Sequence, residues 1–289
     1  MAKLAIPAPA KINLGLEVQR RRSDGYHDVV TVLQALEFGD TVHLTNTNTG
    51  SIDGQPSVAG LTHELDLAFR AAYQLSKMIK PPRGVYIHVD KRIPVAAGLA
   101  GGSSDAAAVL LGLEALWEAD TTSIRHVARS LGTDVSFFLE SGTALGLGRG
   151  DELRPLAPTP RRWVVLARPE LKISTTNAYA NLRPDEWSDG NNTLALADAI
   201  QDGKLDPSLL TNNLQPAALR LVPEINAVLE DLDETGAQPA LVSGSGPTCF
   251  GLYTEEEAAR AAQIAMAKQG WWTITTRFRQ SAISPKERR

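Results

Sequence analysis

Glycines at 98, 101 and 102 and a pair of serines stand out in the stretch from 93 to 113, which reads IPVAAGLAGGSSDAAAVLLGL. If it forms a strand, a loop and a helix, residues 98–104 place several backbone N–H groups and a helix N-terminus around one point. Free donors and the helix dipole favour an anion there. Glycine suits such a loop because a Cβ would hold phosphate oxygens away from the amides. The pattern predicts a polyphosphate site; a tight, closely packed strand-to-helix connection is the structural alternative.

Two better-known phosphate loops do not describe this stretch, because it contains no G-x-x-x-x-G-K-[ST] and no G-x-G-x-x-G opens the helix. Residues 94–107, PVAAGLAGGSSDAA, resemble instead the central motif of the GHMP kinases, which include homoserine, mevalonate and galactose kinases. The GLAGGSS form is most similar to the branch acting on 4-diphosphocytidyl-2-C-methyl-D-erythritol. Further segments resemble that family in the same order: PAKINL (9–14), DGYH (24–27), LGTDVSFF (131–138) and VSGSGPTC (242–249).

The resemblance implies a catalytic pair, Lys11 and Asp134. Phosphoryl transfer passes through a loose transition state, so positioning and charge neutralisation carry most of the catalysis. In the family, the aspartate matching Asp134 accepts the hydroxyl proton, and the lysine matching Lys11 holds that carboxylate and the reacting oxygen in place. Taken without the family, Asp134 reads first as a helix cap and Lys11 as a solvated lysine at a strand end.

ATP and Mg²⁺ are the cofactors that the resemblance implies, the ion because the triphosphate charge needs neutralising. The sequence indicates no unambiguous protein ligand for the ion. One position departs from the family, because Asp66 stands where an asparagine usually lies near the adenine, and a carboxylate cannot donate to the base. The residues predicted to bind ATP are Pro94, Ala97, Gly98, Leu99, Ala100, Gly101, Gly102, Ser103, Ser104 and Asp66.

The resemblance also implies how a cytidyl group is bound. Asp-Gly at 24–25 is first of all a turn signal, but the family stacks the next tyrosine on cytosine and reads the base edge with the histidine. The matching residues are Tyr26 and His27, and the segment ISTTNAY aligns Tyr179 with the aromatic on the other face of the base. Without the family, Tyr26 is a half-buried strand residue and His27 its solvated neighbour.

Two further features complete the predicted substrate site. Asn13 has a side chain that can donate and accept near the substrate, although a hydrogen bond to a nearby turn is an equal reading. The glycine turn of Gly244, Ser245 and Gly246 resembles the family motif that lines the cleft opposite the nucleotide; alone it reads as a hairpin turn. The basic run 20–22 could draw in an anionic substrate, or form a solvated surface.

Hydrophobic periodicity predicts the elements that must position these residues. Strands are expected at 29–38 and 40–46, with Gly39-Asp40 as the turn between them. After the glycine loop, two helices are expected, with Ser-Ser-Asp at 103–105 as N-terminal capping residues. A shorter helix is expected over 131–140.

A glycine-rich and then proline-rich shift near 155–162 predicts a boundary between domains 1–160 and 161–289. In the second domain, the order helix, strand, turn, strand, helix, strand suits an antiparallel sheet covered by helices. The resemblance sharpens this into an α+β class: a two-domain GHMP kinase fold. It implies an N-terminal ribosomal-protein-S5-like α/β domain and a C-terminal ferredoxin-like α/β domain, with the active site in the cleft between them.

The composition limits the classes of partner and the cellular location that we expect. The 289 residues are 43% hydrophobic, which suffices for a large core, and the net charge of −4 argues against nucleic acid or an anionic membrane as partner. The single cysteine excludes an internal disulfide and fits a reducing compartment. Without a signal peptide or a bilayer-length apolar run, a cytoplasmic location is predicted.

The function predicted is ATP-dependent phosphorylation of the 2-hydroxyl of 4-diphosphocytidyl-2-C-methyl-D-erythritol, in the non-mevalonate isoprenoid pathway. One alternative is another GHMP kinase acting on homoserine or mevalonate, but those substrates have no base for Tyr26 and Tyr179 to enclose. A second is a catalytically silent nucleotide sensor on the same fold, against which the presence of both Lys11 and Asp134 argues.

Overall fold

The protein folds as two sheets flanked by helices, and the computed structural model describes residues 2–81 and 83–283. Residues 284–289, the end of the predicted second domain, lie outside the described part. The strands are β1 (Lys3–Arg21), β2 (His27–Thr47), β3 (Ile52–Gly54), β4 (Gly84–Asp90), β5 (Thr143–Leu147), β6 (Glu152–Pro155), β7 (Trp163–Arg168), β8 (Thr211–Asn212), β9 (Ala240–Val242), β10 (Cys249–Tyr253) and β11 (Trp272–Arg277). The helices are α1 (Leu67–Ile79), α2 (Gly101–Trp117), α3 (Thr121–Leu131), α4 (Thr133–Glu140), α5 (Thr175–Ala180), α6 (Asn191–Gln201), α7 (Gln215–Leu221), α8 (Glu224–Glu234) and α9 (Glu256–Lys268).

The first sheet is organised by the long antiparallel hairpin of β1 and β2. Its order is β3-β4-β2-β1-β8, with β5 pairing β2 and β6 pairing β5. The predicted turn at Gly39-Asp40 is wrong, because β2 runs through both residues and pairs them with Pro9 and Ala8. Gly39 is needed for a close approach between strands, since a Cβ there would clash with the Ala8 carbonyl oxygen.

Two of the three irregularities in the β1–β2 register lie between Pro9 and Lys11 and between Asn13 and Gly15. An extra residue in one strand locally bends it and changes the direction of its side chains. Lys11 and Asn13 lie at these two points, so the irregular register explains why a lysine and an asparagine occur in the buried middle of a long strand.

The second sheet is antiparallel with the order β11-β7-β10-β9. This is the ferredoxin-like order, and it confirms the fold class and the antiparallel sheet expected from the C-terminal pattern. Helices α8 and α9 pack against this sheet through a core that includes Val165, Ile225 and Met266.

A shared core joins the two sheets. Ile12 and Leu14 of β1 belong to the same buried cluster as Leu166 of β7 and Phe250 of β10. The later chain also returns to the first sheet, because β8 pairs in parallel with β1. The division at 160/161 stays a prediction. Across residues 2–81 and 83–283, none of the helices has both the length and the apolar character needed to cross a bilayer.

Candidate active site

A cleft of about 1110 Å³ is lined by residues of the β1–β2 hairpin, the start of α2 and the second glycine turn. Most of the predicted site residues line it, whereas Leu99, Ser104 and Gly246 do not. The predicted residues that the structure brings together on its wall are Lys11, Asn13, Tyr26, His27, Asp66, Pro94, Ala97, Gly98, Ala100, Gly101, Gly102, Ser103, Asp134, Tyr179, Gly244 and Ser245.

The loop before α2 is built on left-handed backbone conformations. Gly98 has a φ of 76°, and the non-glycine residues Ala96 and Ala100 have φ values of 54° and 57°. A Cβ at Gly98 would clash with the Ser243 carbonyl oxygen. An alanine in this region costs roughly 1–2 kcal/mol, and such strained residues cluster where a loop is shaped for a ligand.

The N-terminus of α2 faces the cleft with free donors. Its N-cap is Ala100, and none of the side chains in the described part of the chain caps the first turn. The prediction that Ser-Ser-Asp at 103–105 forms the cap is wrong, because the helix already begins at Gly101 and these residues lie inside it. The pattern misled because capping residues normally precede a helix, whereas here small residues let the backbone turn helical earlier. The uncapped amides and the helix dipole together suit an anion.

A charged network that the sequence did not reveal lies beneath this helix start. Lys91 Nζ donates to Asp40 Oδ2 at 2.5 Å and to Asp105 Oδ2 at 2.7 Å. A Cβ at Gly101 would come within 3.3 Å of Lys91 Nζ, so the ammonium lies directly against the loop. Burial holds the pKa of Asp105 well above its usual range, although Lys91 opposes this effect. Lys91 thereby links Asp40 of β2 to Asp105 of α2 and packs against the glycine loop.

A chain of hydrogen bonds orients Lys11. Its Nζ donates to Asn13 Oδ1 at 2.8 Å, and Asn13 Nδ2 donates to Thr31 Oγ1 at 2.8 Å. Thr31 Oγ1 in turn donates to the Gly15 carbonyl oxygen at 2.7 Å, so it must accept from Asn13. This order of donors fixes the amide of Asn13 with its oxygen toward Lys11.

Asp134 lies in the first turn of α4, where the helix dipole favours a carboxylate. The structure confirms the short helix predicted here, with its start at Thr133. Burial lowers the pKa of Lys11, and the charge of Asp134 acts in the opposite direction. The Lys11 ammonium and the Asp134 carboxylate therefore lie close enough to interact electrostatically.

The turn at 244–246 approaches this pair from the second sheet. A Cβ at Gly244 would lie 3.2 Å from Asn13 Oδ1 and 3.5 Å from Lys11 Nζ, and its φ is 56°. Asn212 of β8 holds the turn by donating to the Gly244 carbonyl oxygen at 2.8 Å. A glycine here lets the backbone pass directly beside the lysine.

Aromatic rings gather at the other end of the cleft. His27 lies 5.5 Å from Tyr179 and 6.2 Å from Trp187 between ring centroids, and Tyr26 is 60% exposed with the Arg149 guanidinium 5.1 Å from its ring centroid. Burial and, second, the charge of Arg21 lower the pKa of His27, which favours its neutral imidazole. Burial, reinforced by Asp134, raises the pKa of Tyr179 to about 12.

The comparisons with known proteins agree with this geometry. The GHMP kinases N terminal domain family matches residues 66–142, and the GHMP kinases C terminal family matches residues 195–270. A 4-diphosphocytidyl-2-C-methyl-D-erythritol kinase of Shouchella clausii is 41% identical over 258 residues, 88% of this chain and 87% of that protein. The chain belongs to the GHMP kinases, in this branch.

Further relatives support the assignment to the GHMP kinases. A kinase of the same name from Brevibacillus brevis is 37% identical and covers 93% of both chains. A crystal structure of a 4-(cytidine 5'-diphospho)-2C-methyl-D-erythritol kinase matches with a TM-score of 0.81 at 37% identity, over 94% of this chain and 98% of that one. A homoserine kinase from Cytophaga hutchinsonii has a TM-score of 0.76 at 18% identity, which shows the shared fold alone.

As a GHMP kinase the chain uses ATP on a small-molecule substrate.

Asp66, where the family usually has an amide, serves as the N-cap of α1: Oδ1 accepts from Ala68 N at 3.0 Å and Oδ2 from Ser57 N at 2.6 Å. Both carboxylate oxygens are thus occupied by backbone amides. The Ser57 and Ala68 N–H donors explain why a carboxylate, which only accepts hydrogen bonds, fits at position 66.

Besides Lys91, sequence reasoning missed Arg149 and Trp187, which also line this GHMP kinase cleft. Both line it at the aromatic end. Arg149 stands between two glycines and Trp187 follows a short 3-10 turn, so neither lies in a motif that spacing could reveal.

Within the described ranges, no cluster of three or more His, Cys, Asp or Glu side chains is arranged to hold a metal ion.

Proposed function

We propose that this chain transfers the γ-phosphoryl group of ATP to the 2-hydroxyl of 4-diphosphocytidyl-2-C-methyl-D-erythritol, in the non-mevalonate route to isoprenoid precursors. One observation carries the proposal: a single cleft joins uncapped helix amides, the Lys11 and Asp134 pair, and a group of aromatic rings. Those three parts correspond to a triphosphate, a reacting alcohol and a nucleobase. The relatives named as kinases of that substrate support the same conclusion.

The triphosphate is proposed to lie on the loop from Pro94 to Ser103. Among the described residues, no side chain caps the amides at the start of α2. The loop glycines let the backbone pass close to its neighbours, because a Cβ at Gly98 would clash with the Ser243 carbonyl oxygen. Leu61, Leu65 and Leu67 form an apolar wall beside Asp66, which suits the adenine ring. Lys91 lines the same region, but its ammonium is already paired with Asp40 and Asp105.

Mg²⁺ is proposed to accompany ATP. A hard cation of this size prefers oxygen ligands and is usually held by one or two protein oxygens together with phosphates and water. The cleft fits this description, because Ser103 and Asp134 bring a hydroxyl and a carboxylate to its wall. When bound, the ion neutralises charge on the transferred phosphoryl group.

For the transfer itself, Asp134 is proposed to orient the substrate hydroxyl and accept its proton. Lys11 stabilises the negative charge that develops on the transferring group, and Asn13 holds the ammonium in place through its 2.8 Å contact. Because burial lowers the pKa of Lys11, the arrival of a polyanion should favour its charged form. Gly244 forms the wall of the cleft next to Lys11.

At the aromatic end, Tyr26 and Tyr179 are proposed to enclose the cytosine ring. Base–aromatic stacking contributes roughly 1–3 kcal/mol for each contact. Neutral His27 offers one donor and one acceptor nitrogen, which matches the mixed donor and acceptor edge of cytosine. Arg149 adds a cation beside the Tyr26 ring.

The proposal is tested by ADP release with ATP, Mg²⁺ and a panel of alcohols comprising the cytidyl substrate, mevalonate and homoserine. Turnover confined to the cytidyl compound is expected, since only that substrate fills the aromatic end of the cleft. Preference for mevalonate or homoserine would replace the proposal with another GHMP kinase activity. ATP binding without turnover of any alcohol would favour a nucleotide sensor.

A further inference from the structure

The run of three arginines at the end of β1 is divided between two faces of the hairpin. Arg20 Nε pairs with Asp28 Oδ2 at 3.0 Å, and Arg22 pairs with Asp24 at 3.1 Å and with Asp28 at 2.7 Å. Arg21 differs from both: across residues 2–81 and 83–283, its side chain forms no ion pair or hydrogen bond. Two of the three positive charges are therefore neutralised within the hairpin.

The contacts of the hairpin show this division. Strand β1 ends at Arg21 and its register with β2 is irregular between Val18 and Arg21, so the side of each arginine follows from its partners and not from regular alternation. Arg21 is the direct cross-strand partner of His27, whereas Arg20 and Arg22 share their face with Asp28. Arg21 lines the main cleft, whereas Arg20 lines a separate small cavity that shares Trp187 with the cleft.

The hairpin tip that carries Arg21 is held in place. Arg22 N donates to the Tyr26 carbonyl oxygen at 2.7 Å, and Gly25 N donates to the Arg22 carbonyl oxygen at 3.2 Å. Asp24 Oδ1 accepts from Tyr26 N at 3.1 Å. The backbone on both sides of the aromatic end is fixed, so a side chain projecting from Arg21 starts from a defined position.

The charge of Arg21 reaches the aromatic end of the cleft. Burial is the larger cause of the lowered pKa of His27, and the guanidinium of Arg21 is the second. The other cation there, Arg149, already pairs with Asp151 at 3.3 Å and covers the Tyr26 ring. Arg21 is thus the cation at this end whose donors remain free within the described chain.

We propose that Arg21 binds the diphosphate of the nucleotide substrate and makes this kinase selective for a diphosphate over an uncharged nucleoside. This inference rests on the proposed function. With the base among the aromatic rings and the reacting alcohol near Lys11, the diphosphate lies between them. Arg21 is paired with His27 at the base end of the hairpin, so its long side chain must extend from the level of the base toward Lys11 to reach the diphosphate. A guanidinium carries five donors in a planar fork that matches phosphate oxygens.

The test compares Arg21→Gln with Arg20→Gln, which makes the same chemical change one residue away on the opposite face. Cytidine, CMP and CDP are used as competitors of the cytidyl substrate at saturating ATP. Arg21→Gln is expected to raise the inhibition constant of CDP, and the KM of the substrate, about tenfold through the loss of a charge-assisted contact. The inhibition constant of cytidine, the KM of ATP and kcat should stay within about twofold of wild type. Arg20→Gln should leave all of them within that range.

Three results would overturn the assignment. Equal weakening of cytidine and CDP would mean that Arg21 reads the base, and equal effects of the two variants would mean a long-range charge effect. An unchanged CDP constant in Arg21→Gln, with normal inhibition of the wild type, would remove Arg21 from the site and leave the proposed function intact. A wild type that neither turns over the cytidyl substrate nor responds to CDP would refute both. Thermal unfolding checks that the variants are folded, which is expected because Arg21 is exposed.

Discussion

Ser243 Oγ donates a hydrogen bond to the carbonyl oxygen of Gly98 at 3.1 Å, which ties the C-terminal glycine turn to the phosphate loop. The Ser243 carbonyl oxygen lies so close to Gly98 that no Cβ fits between them. The two halves of the cleft are therefore in contact through backbone, and the loop shape depends on the second sheet as well as on its own sequence.

Gly98→Ala should destabilise the protein and weaken ATP binding. The new Cβ meets the Ser243 carbonyl oxygen at a φ of 76°, so a loss of about 2 kcal/mol in unfolding free energy is expected. Gly102→Ala is the matched control for the loss of stability alone, because its Cβ would meet only Leu67 Cδ1 at 3.6 Å. Thermal unfolding and calorimetric titration with ATP measure both effects. Equal stability of the two variants would contradict the close contact.

Asp134→Asn should lower kcat by roughly a thousandfold while ATP affinity stays nearly unchanged, because the variant keeps the shape but loses the proton acceptor. Glu140→Gln makes the same change at the other end of α4 and should retain normal turnover. Steady-state kinetics with the cytidyl substrate, together with ATP titration, measures the difference. Near-normal turnover of Asp134→Asn would remove Asp134 from its proposed role.

Tyr26→Ala should raise the KM of the cytidyl substrate about tenfold, since a stacking contact is lost, while the KM of ATP is unaffected. Tyr26→Phe keeps the ring and should behave like the wild type. Tyr86→Ala is a surface control, because Tyr86 is exposed on β4 away from the cleft. If Tyr26→Ala binds the substrate normally, the base does not stack there.

Local patterns in the sequence predicted those parts of the site that depend on a few neighbouring residues. The glycine loop and the short helix carrying Asp134 are examples, because positive φ and helix starts are properties of the local backbone. Local patterns also gave a wrong prediction at Gly39. Glycine is typical of turns, but Gly39 lies in the middle of β2, where the Ala8 backbone comes too close for a Cβ. Such an approach depends on strand register, which no single segment specifies.

The residues that sequence reasoning missed are brought to the cleft by tertiary contacts. Lys91 reaches Asp40 across 51 positions, and the Trp187 ring approaches His27 from the loop after a short 3-10 turn. None of these residues belongs to a motif with regular spacing. The division of the arginine run likewise depends on which face of the hairpin each residue occupies, which follows from the register at Arg21 and His27.

Glu186→Gln should reduce stability in a pH-dependent way. Hydrogen bonds from Arg220 lower the pKa of Glu186 to about 2, from 4.5. The carboxylate therefore contributes stability that is present above pH 4.5 and is lost as the pH falls toward 2. A difference of at most about 1 kcal/mol is expected at pH 7, because solvent screens the pair.

Thermal unfolding of wild type and Glu186→Gln between pH 7 and pH 3 tests this pH dependence, and the gap between them should narrow as the pH falls. Glu256→Gln is the control, because its partner Arg260 lies one helical turn away in an exposed pair. A gap that stays constant with pH would mean that the Glu186 carboxylate does not depend on Arg220 for its low pKa.

Lys11→Met should abolish turnover yet stabilise the fold. Burial lowers the pKa of Lys11, which means that the folded protein disfavours its charged form. Replacing such a buried charge by an apolar side chain of similar length should add about 1 kcal/mol of unfolding free energy at pH 7. The cost of the wild-type ammonium is fully present below its lowered pKa and disappears as the pH rises past 10.5, so the gain should shrink in alkali. Denaturant unfolding at pH 7 and at higher pH measures this trend, and a destabilised Lys11→Met would show that the contacts of Lys11 with Asn13 and Asp134 outweigh its desolvation.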